Sequence, residues 1–298
     1  MKRSSRAGRL TQLERNQRTT GIFFILPSLV LCAIFMVVPL INVIRYSLTD
    51  WDGLSKTYNF VGLYNYMHLH EIEGFGEMML ATVTFAIGVT AITIIVSFLA
   101  ALALDNRGLM RALWFFPALL SGAVVGILWR IMYNYNNGVI NKIITSAGLP
   151  AVNWLETRGV TNIAIIIGAA WVQIGLCVVV FLAGLQSIPQ EMYEAASIDG
   201  ATPSQQLKNI TIPMMASSIT INVITTTIAA FKAYELPYLI SKGLPGHSTL
   251  LITQRIFFFG FQAFDYGRGS ALSVVLLLII ALISLVQLVV LRKREDIF

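Results

Sequence analysis

Two groups of residues in this 298-residue chain have types and spacing suited to something other than filling hydrocarbon. The first is scattered through apolar runs: Trp171 and Gln173, then Asn222, Thr225 and Thr226, then Phe231, Tyr234 and Glu235. Amide, hydroxyl and indole groups in such runs must find hydrogen-bond partners, and they usually face a helix bundle rather than lipid. They can hold helices together, or line a path for a polar solute whose apolar faces rest on the aromatic rings. The second group is the polar stretch EAASIDGATPSQQLKNITIP, from Glu194 to Pro213, a candidate docking surface. Bond-making chemistry has no comparable set. The sequence contains no G-x-x-x-x-G-K-[ST] phosphate loop, no H-E-x-x-H, no nucleophile elbow and no carboxylate pair inside an apolar run. Its histidines, His68, His70 and His247, fall in connecting segments. Cys32 and Cys177 sit near the middle of apolar runs, where they read as small buried side chains rather than a disulfide or metal pair. No catalytic residue, metal or cofactor is assigned to this chain.

The elements that must position these residues follow from composition. The chain is 56% hydrophobic and 12% charged, with mean hydropathy +0.73. A soluble domain carries about 25% charged residues, so this chain cannot cover itself with polar surface. Six apolar runs reach the roughly 20 residues that a helix needs to cross hydrocarbon. They are 22–44, 79–104, 112–133, 161–185, 215–235 and 270–291. Irregular backbone cannot face lipid, which makes the runs helical. The expected architecture is an all-α membrane protein: a basic segment at 1–21, a six-helix transmembrane domain at 22–291 and a tail at 292–298. The first run is too long for the core of a cleavable signal peptide and reads as a span that stays. Pro27, Pro39 and Pro117 lie inside runs and are expected to bend them. No repeat relates the two halves, which suits half of a pore rather than a duplicated carrier.

The formal charge of +6 concerns placement in a membrane rather than affinity for nucleic acid. Lys2, Arg3, Arg6, Arg9, Arg15 and Arg18 precede the first span, and Arg292, Lys293 and Arg294 follow the last. Both termini are therefore expected in the cytoplasm. Six spans then place the turn at 105–111 and the Glu194 loop inside as well. On this topology twelve of the 21 Lys and Arg lie inside and seven outside, with Arg130 and Lys232 in or near spans. Lys232 and Glu235 are read as charges snorkelling at the outer end of a helix. The outer segments 45–78, 134–160 and 236–269 are rich in aromatic residues, which suits headgroup anchoring or a platform for an external partner.

The Glu194 loop is legible locally. Ser187, Pro189 and Gln190 have the grammar of a helix start, and the helix should run to about Ile198. Asp199-Gly200 marks a turn. Thr202-Pro203-Ser204-Gln205 repeats the start signal before a second helix that ends at Ile212-Pro213. The expected product is a helix–turn–helix elbow over 186–214. Met192, Ala195, Ala196 and Asp199 share one helical face, with Glu194 beside it. An elbow resting on an anionic membrane would carry Lys and Arg; Glu191, Glu194 and Asp199 point to a protein cleft instead.

The pattern Glu194-Ala195-Ala196, Gly200, Ile210 and Ile212-Pro213 resembles the cytoplasmic EAA loop of permease subunits in binding-protein-dependent ABC importers. Arg111 to Pro117 resembles the start of that family's core. Phe231 to Tyr238, with Gly243, Pro245 and Thr249, is similar to the sugar-importer pattern of an F-x-x-F-D run before a T-x-G-G-P loop. Tyr234 and Glu235 replace the usual Phe-Asp, and Lys242-Gly243-Leu244-Pro245 breaks the double glycine. Ala263 to Gly267, with Ser270-Ala271, resembles the entry to the final span. The resemblance implies a type I ABC importer fold of the carbohydrate-uptake branch, of maltose and glycerol-3-phosphate permease type. It implies that Glu194, Ala195, Ala196, Asp199, Gly200, Ile210 and Pro213 couple to a separate ATPase. The implied partners are two ATP-binding subunits carrying ATP and Mg, a second related permease chain, an extracytoplasmic sugar-binding protein and the inner-membrane bilayer. The polar and aromatic residues of the apolar runs then become candidate contacts for a sugar. The alternative is an ion- or proton-coupled secondary transporter. That reading requires ionisable groups near the membrane centre, and the middles of the first, second, fourth and sixth runs carry none.

Overall fold

The computed structural model describes residues 12–104 and 108–295. Residues 1–11 of the predicted basic segment 1–21, 105–107 of the turn expected at 105–111 and 296–298 of the tail 292–298 lie outside the described residues. Regular structure among those described is helical, apart from an isolated antiparallel bridge between Thr49 and Phe60. Helix α1 (Gln12–Cys32) runs through a π-helical stretch, Ala33–Val37, into α2 (Val38–Tyr46). The widened stretch ends just ahead of Pro39. A proline ring cannot donate to the carbonyl four residues back and crowds it, and a shift to i→i−5 bonding relieves both problems. A loop then leads to α3 (Tyr64–Met67). In that loop Asp52 accepts from the Ser55 hydroxyl and from the N–H groups of Ser55 and Leu54, which pulls its carboxyl down to about 2. The folded carboxyl is thus depressed, so its contribution is intact above the ordinary carboxylate range and disappears only as pH falls toward that value.

The body continues with α4 (Phe75–Leu104), α5 (Gly108–Phe115), α6 (Gly122–Met132), the short α7 (Val139–Ser146) and α8 (Val160–Gln186). The elbow comprises α9 (Gln190–Ile198), α10 (Pro203–Gln206) and α11 (Ile212–Met214), and it leads into α12 (Ala216–Phe231). Helices α13 (Glu235–Ser241), α14 (Ile252–Phe261) and α15 (Tyr266–Glu295) complete the chain.

Helices α4 and α8 form the central pair. Helix α4 buries one stripe: Met78, Ala81, Thr82, Phe85, Ala86, Val89, Thr93, Ser97, Ala100, Ala101 and Leu104. The three- and four-residue spacing defines a single face, and most of its members are small. Lipid tails are as apolar as leucine, so burial alone does not drive such helices together; close van der Waals approach does. Helix α8 meets this face with Ile166, which lies where a side chain on Gly88 of α4 would stand, while its Gly168 and Gly175 turn toward Ile240 and Trp129 and toward Trp114. A side chain at Gly175 would fall on the backbone carbonyl of Trp114, so this glycine lets α5 lie directly on α8. Helix α12 rests on both α4 and α8, and α15 covers α12.

Four of the six predicted spans are continuous apolar helices: Phe23–Tyr46, Phe75–Leu104, Val160–Gln186 and Tyr266–Arg292. The other two are corrected to bent pairs. The run at 112–133 passes through a 3-10 turn at Phe116–Leu119 and bends by 103° before α6. Pro117 sits in that turn, Leu120 and Ser121 are extended, and the Ser121 hydroxyl accepts from the Val124 N–H to start a new helix. The run at 215–235 meets the elbow at 65° and ends as a helix at Phe231. Tyr234 and Glu235 therefore belong to the start of α13 rather than to the end of the span. The span Phe23–Tyr46 is exposed at every position from 23 to 41 and meets the body at its far end, where Tyr46 packs edge-on against Tyr266 of α15.

Gly175→Val should push α5 off α8. Overpacking against backbone that cannot yield costs roughly 1–3 kcal/mol or more, so the purified chain should lose thermal stability and yield of monodisperse protein. Gly76→Ala, where nothing lies within 4 Å of the added methyl, should match the parent in the same melt. A Gly175→Val protein as stable as the parent would refute the close-approach account.

Candidate functional site

The elbow is built from local hydrogen bonds. Helix α9 ends in a Schellman motif: Ala201 N–H donates to Ala196 O and Gly200 N–H to Ser197 O, with Gly200 at φ +80°. The second start signal is realised in full, since Gln205 N–H donates to the Thr202 hydroxyl and Thr202 N–H to Gln205 Oε1 at 2.7 Å. The first start is two residues late. Pro189 is the N-cap, and the Ser187 hydroxyl donates back to Gly184 O to close α8. Beyond α10 the chain is π-helical over Leu207–Thr211, again ending just before a proline, Pro213. Three bonds lock the arms together: Tyr193 Oη with Thr211 Oγ1 at 2.9 Å, and Gln206 Nε2 donating to Ser197 Oγ at 2.9 Å and to Tyr193 O at 3.5 Å.

Tyr193 and Ala196 are half-buried against the body, three apart on the inner face of α9. Ala196 therefore does not share an outward face with Met192, Ala195 and Asp199, all of which are exposed. Glu191, Glu194 and Gly200 are exposed with them, and Ile198 is 87% exposed. Ile210 and Pro213 are half-buried where the elbow joins α12. At that joint Met215 is completely buried. The elbow thus presents an acidic and apolar outer surface on a base that is hydrogen-bonded to itself.

The polar residues of the apolar runs divide in two. Asn222 is buried and donates to Cys177 O at 3.2 Å, and Thr226 Oγ1 meets Cys177 Sγ at 3.4 Å. Both hold α12 to α8. Thr225 is exposed and bonds back to Ile221 O within its own helix. Trp171 packs edge-on against Trp129, and half-buried Gln173 stands on the same helix. Tyr234 stacks on Tyr238 and lies against Phe257. Exposed Glu235 brings its carboxylate to the N-terminal glycine of α6, where a Cβ on Gly122 would stand 3.0 Å from Oε2. It forms no ion pair with Lys232.

Of this set Phe231 alone reaches a groove of about 470 Å³ between α4, α12 and α15. The polar wall of the groove was not singled out in the sequence. Gln287 Nε2 donates to Thr227 Oγ1 at 3.0 Å, and Thr90 Oγ1 lies 3.4 Å from the same oxygen. Gln287 Oε1 is buried without a partner among the described residues. The available signal was Gln287 itself, an amide embedded in the apolar run Leu285-Val286-Gln287-Leu288-Val289.

Residues 17–295 match the family described as the inner membrane component of binding-protein-dependent transport systems. The chain belongs to that family. It is 31% identical over 290 residues to the trehalose/maltose transport system permease protein MalF of Thermococcus litoralis, covering 96% of this chain and 98% of the relative. It is also 31% identical over 276 residues to a probable starch degradation products transport system permease protein, AmyD of Thermoanaerobacterium thermosulfurigenes, covering 91% and 94%. Among solved structures it matches a bacterial ABC transporter involved in import of the acidic polysaccharide alginate, with TM-score 0.80 at 20% identity over 95% of this chain and 99% of that one. A bacterial alginate ABC transporter in complex with an alginate pentasaccharide-bound periplasmic protein matches at TM-score 0.82 and 19% identity, over 96% of this chain and 99% of that one. The permease therefore has the type I ABC permease fold. It is a multi-pass transporter subunit rather than an enzyme, with ATP hydrolysis on a separate subunit, and the ion-coupled alternative is set aside.

Thr227→Val should leave the Gln287 amide buried without an acceptor, a loss of about 1–3 kcal/mol. The double variant Thr227→Val/Gln287→Leu should recover most of it. Thermal unfolding of the four-member cycle measures the coupling; additive losses would show that the bond contributes nothing.

Proposed function

We propose that the permease forms half of the translocation pathway of an ATP-driven sugar importer, with its elbow seated in a separate ATPase subunit. The observation that carries this reading is the exposed acidic elbow, pinned by Tyr193 and Thr211 and continuous through Pro213 with α12. A helix of nine residues such as α9 is marginal alone. Its own side chains leave Glu194, Ala195, Asp199 and Ile198 uncovered, which suits a protein cleft with apolar and cationic walls. Ala196, Gly200, Ile210 and Pro213 shape the elbow rather than contact the cleft. Because Met215 anchors the joint, a push on the elbow is delivered to α12, the helix that carries Asn222, Thr225, Thr226, Thr227 and Phe231. The sugar branch is supported by relatives whose names specify maltose, trehalose and starch products.

In this reading the six apolar segments all cross the inner membrane with both termini in the cytoplasm, two of them bent. Two ATP-binding subunits hold ATP and Mg, a second permease chain closes the pathway, and an external binding protein delivers the sugar. Trp171, Gln173, Tyr234 and Glu235 line the approach from outside, and the groove beside Phe231 continues it inward.

The test is uptake by the assembled transporter in proteoliposomes. Gly200→Pro cannot adopt φ +80°, and Glu194→Lys reverses a docking charge. Each should lower ATP-driven sugar uptake at least about tenfold while membrane insertion stays at the parent level. Uptake at the parent rate in both variants would show that the elbow has another role.

A further inference from the structure

The segment between α6 and α8 carries one amphipathic helix, α7 (Val139–Ser146), whose anchored and uncovered residues fall on different faces. Its anchor is Asn141, a buried amide with every hydrogen-bonding group engaged. The Nδ2 group donates to Tyr135 O at 3.0 Å and to Val152 O at 2.9 Å. The Oδ1 atom accepts from the Val152 N–H at 3.1 Å and from the Trp154 indole N–H at 3.0 Å. Ile140 packs against the apolar core. Val139 and Ile143, four residues apart on one face, are 53% and 64% exposed. Lys142, Thr145 and Ser146 are exposed beside them, and α7 contains no acidic residue.

We propose that α7 is an interfacial helix that lays Val139 and Ile143 in the outer leaflet, with the Lys142 ammonium at the depth of the lipid phosphates. The inference rests on the topology proposed above, which puts this segment outside. Composition favours lipid over a protein partner. The elbow α9 carries Glu191, Glu194 and Asp199 on its exposed surface; α7 has the opposite character, an aliphatic face flanked by a lysine and small hydroxyls. That is the pattern of a helix lying among headgroups, its lysine reaching toward phosphate. A second permease helix packing here would need small residues to bring the backbones close. The exposed face offers none, and α6, which leads into α7, likewise uncovers Val124, Ile127, Leu128 and Ile131 while turning Gly126 inward onto Leu236 and Leu239. A soluble partner anchors chiefly through Trp, Tyr and Arg; α7 has no such residue, and the Trp154 N–H is already spent on Asn141. Because Asn141 grips backbone on both sides of α7, the helix holds the chain leaving α6 and the chain entering α8 at one depth.

The test places photoreactive benzoylphenylalanine singly at Val139, Ile143 or Thr145 of the assembled transporter in phosphatidylcholine nanodiscs. Irradiation should give a phosphatidylcholine adduct, read by mass spectrometry, at Val139 and Ile143. The adduct should be lost at Thr145, which lies about 200° round the helix from Ile143. A cross-link from Ile143 to another protein chain, or equal lipid adducts at Ile143 and Thr145, would overturn the inference. Thr145→Cys should also take up a membrane-impermeant maleimide from the outside of right-side-out vesicles, above the labelling of the parent with its Cys32 and Cys177. Labelling only after the vesicles are opened would overturn the topology and the outer-leaflet placement with it. Outside labelling without a lipid adduct at Val139 or Ile143 would overturn the interfacial helix alone.

Discussion

The close approach of α4 and α8 is the constraint on which the other elements depend. Within hydrocarbon, two helices gain little from hiding apolar surface, so their affinity comes from contact distance. Alanine, serine and threonine along the α4 stripe, with Gly88 set against Ile166 of α8, supply that distance. On another face of α8 Gly175 admits the backbone of α5, and Cys177, two residues on, is the point to which Asn222 and Thr226 of α12 are tied. Opposite faces of α8 thus position the bent pair α5–α6 on one side and the elbow-linked α12 on the other.

Two prolines produce the same local response at distant points. Ahead of Pro39 and ahead of Pro213, five residues widen to π-helical bonding rather than breaking. At Pro117, by contrast, a 3-10 turn and the extended pair Leu120-Ser121 end the helix and redirect the chain by 103°. The difference lies in the backbone next to each proline. Leu120 and Ser121 adopt extended backbone and Ser121 caps a fresh helix, whereas Val38 and Ile212 continue in helical geometry. The widened ladder at Leu207–Thr211 carries the elbow without interruption to Met214, where the chain bends by 65° into α12.

The polar side chains within the apolar segments do two different jobs that their residue types do not reveal. Asn222 and Thr226 are spent on helix–helix bonding, while Thr227, one position further, turns about 100° around the same helix and faces the groove. This explains why Phe231, four residues from Thr227, was the one predicted contact to reach it.

The sequence by itself determined what depends on near neighbours. Apolar run length located the four continuous apolar helices, and the Thr202 capping box and the Gly200 turn formed as their residue spacing demanded. The acidic outer surface of the elbow was equally legible, because it follows from residues within one turn of each other. Only the tertiary structure decided which way Ala196 faces, that the 112–133 run would fold back on itself, and which amides and hydroxyls meet. Those outcomes rest on partners far away in the chain: Asn222 with Cys177, Gln287 with Thr227, and Thr90 with Thr227 across 137 residues. Helical periodicity places a side chain on a face, but the identity of the facing helix is set by three-dimensional packing, which no local pattern encodes.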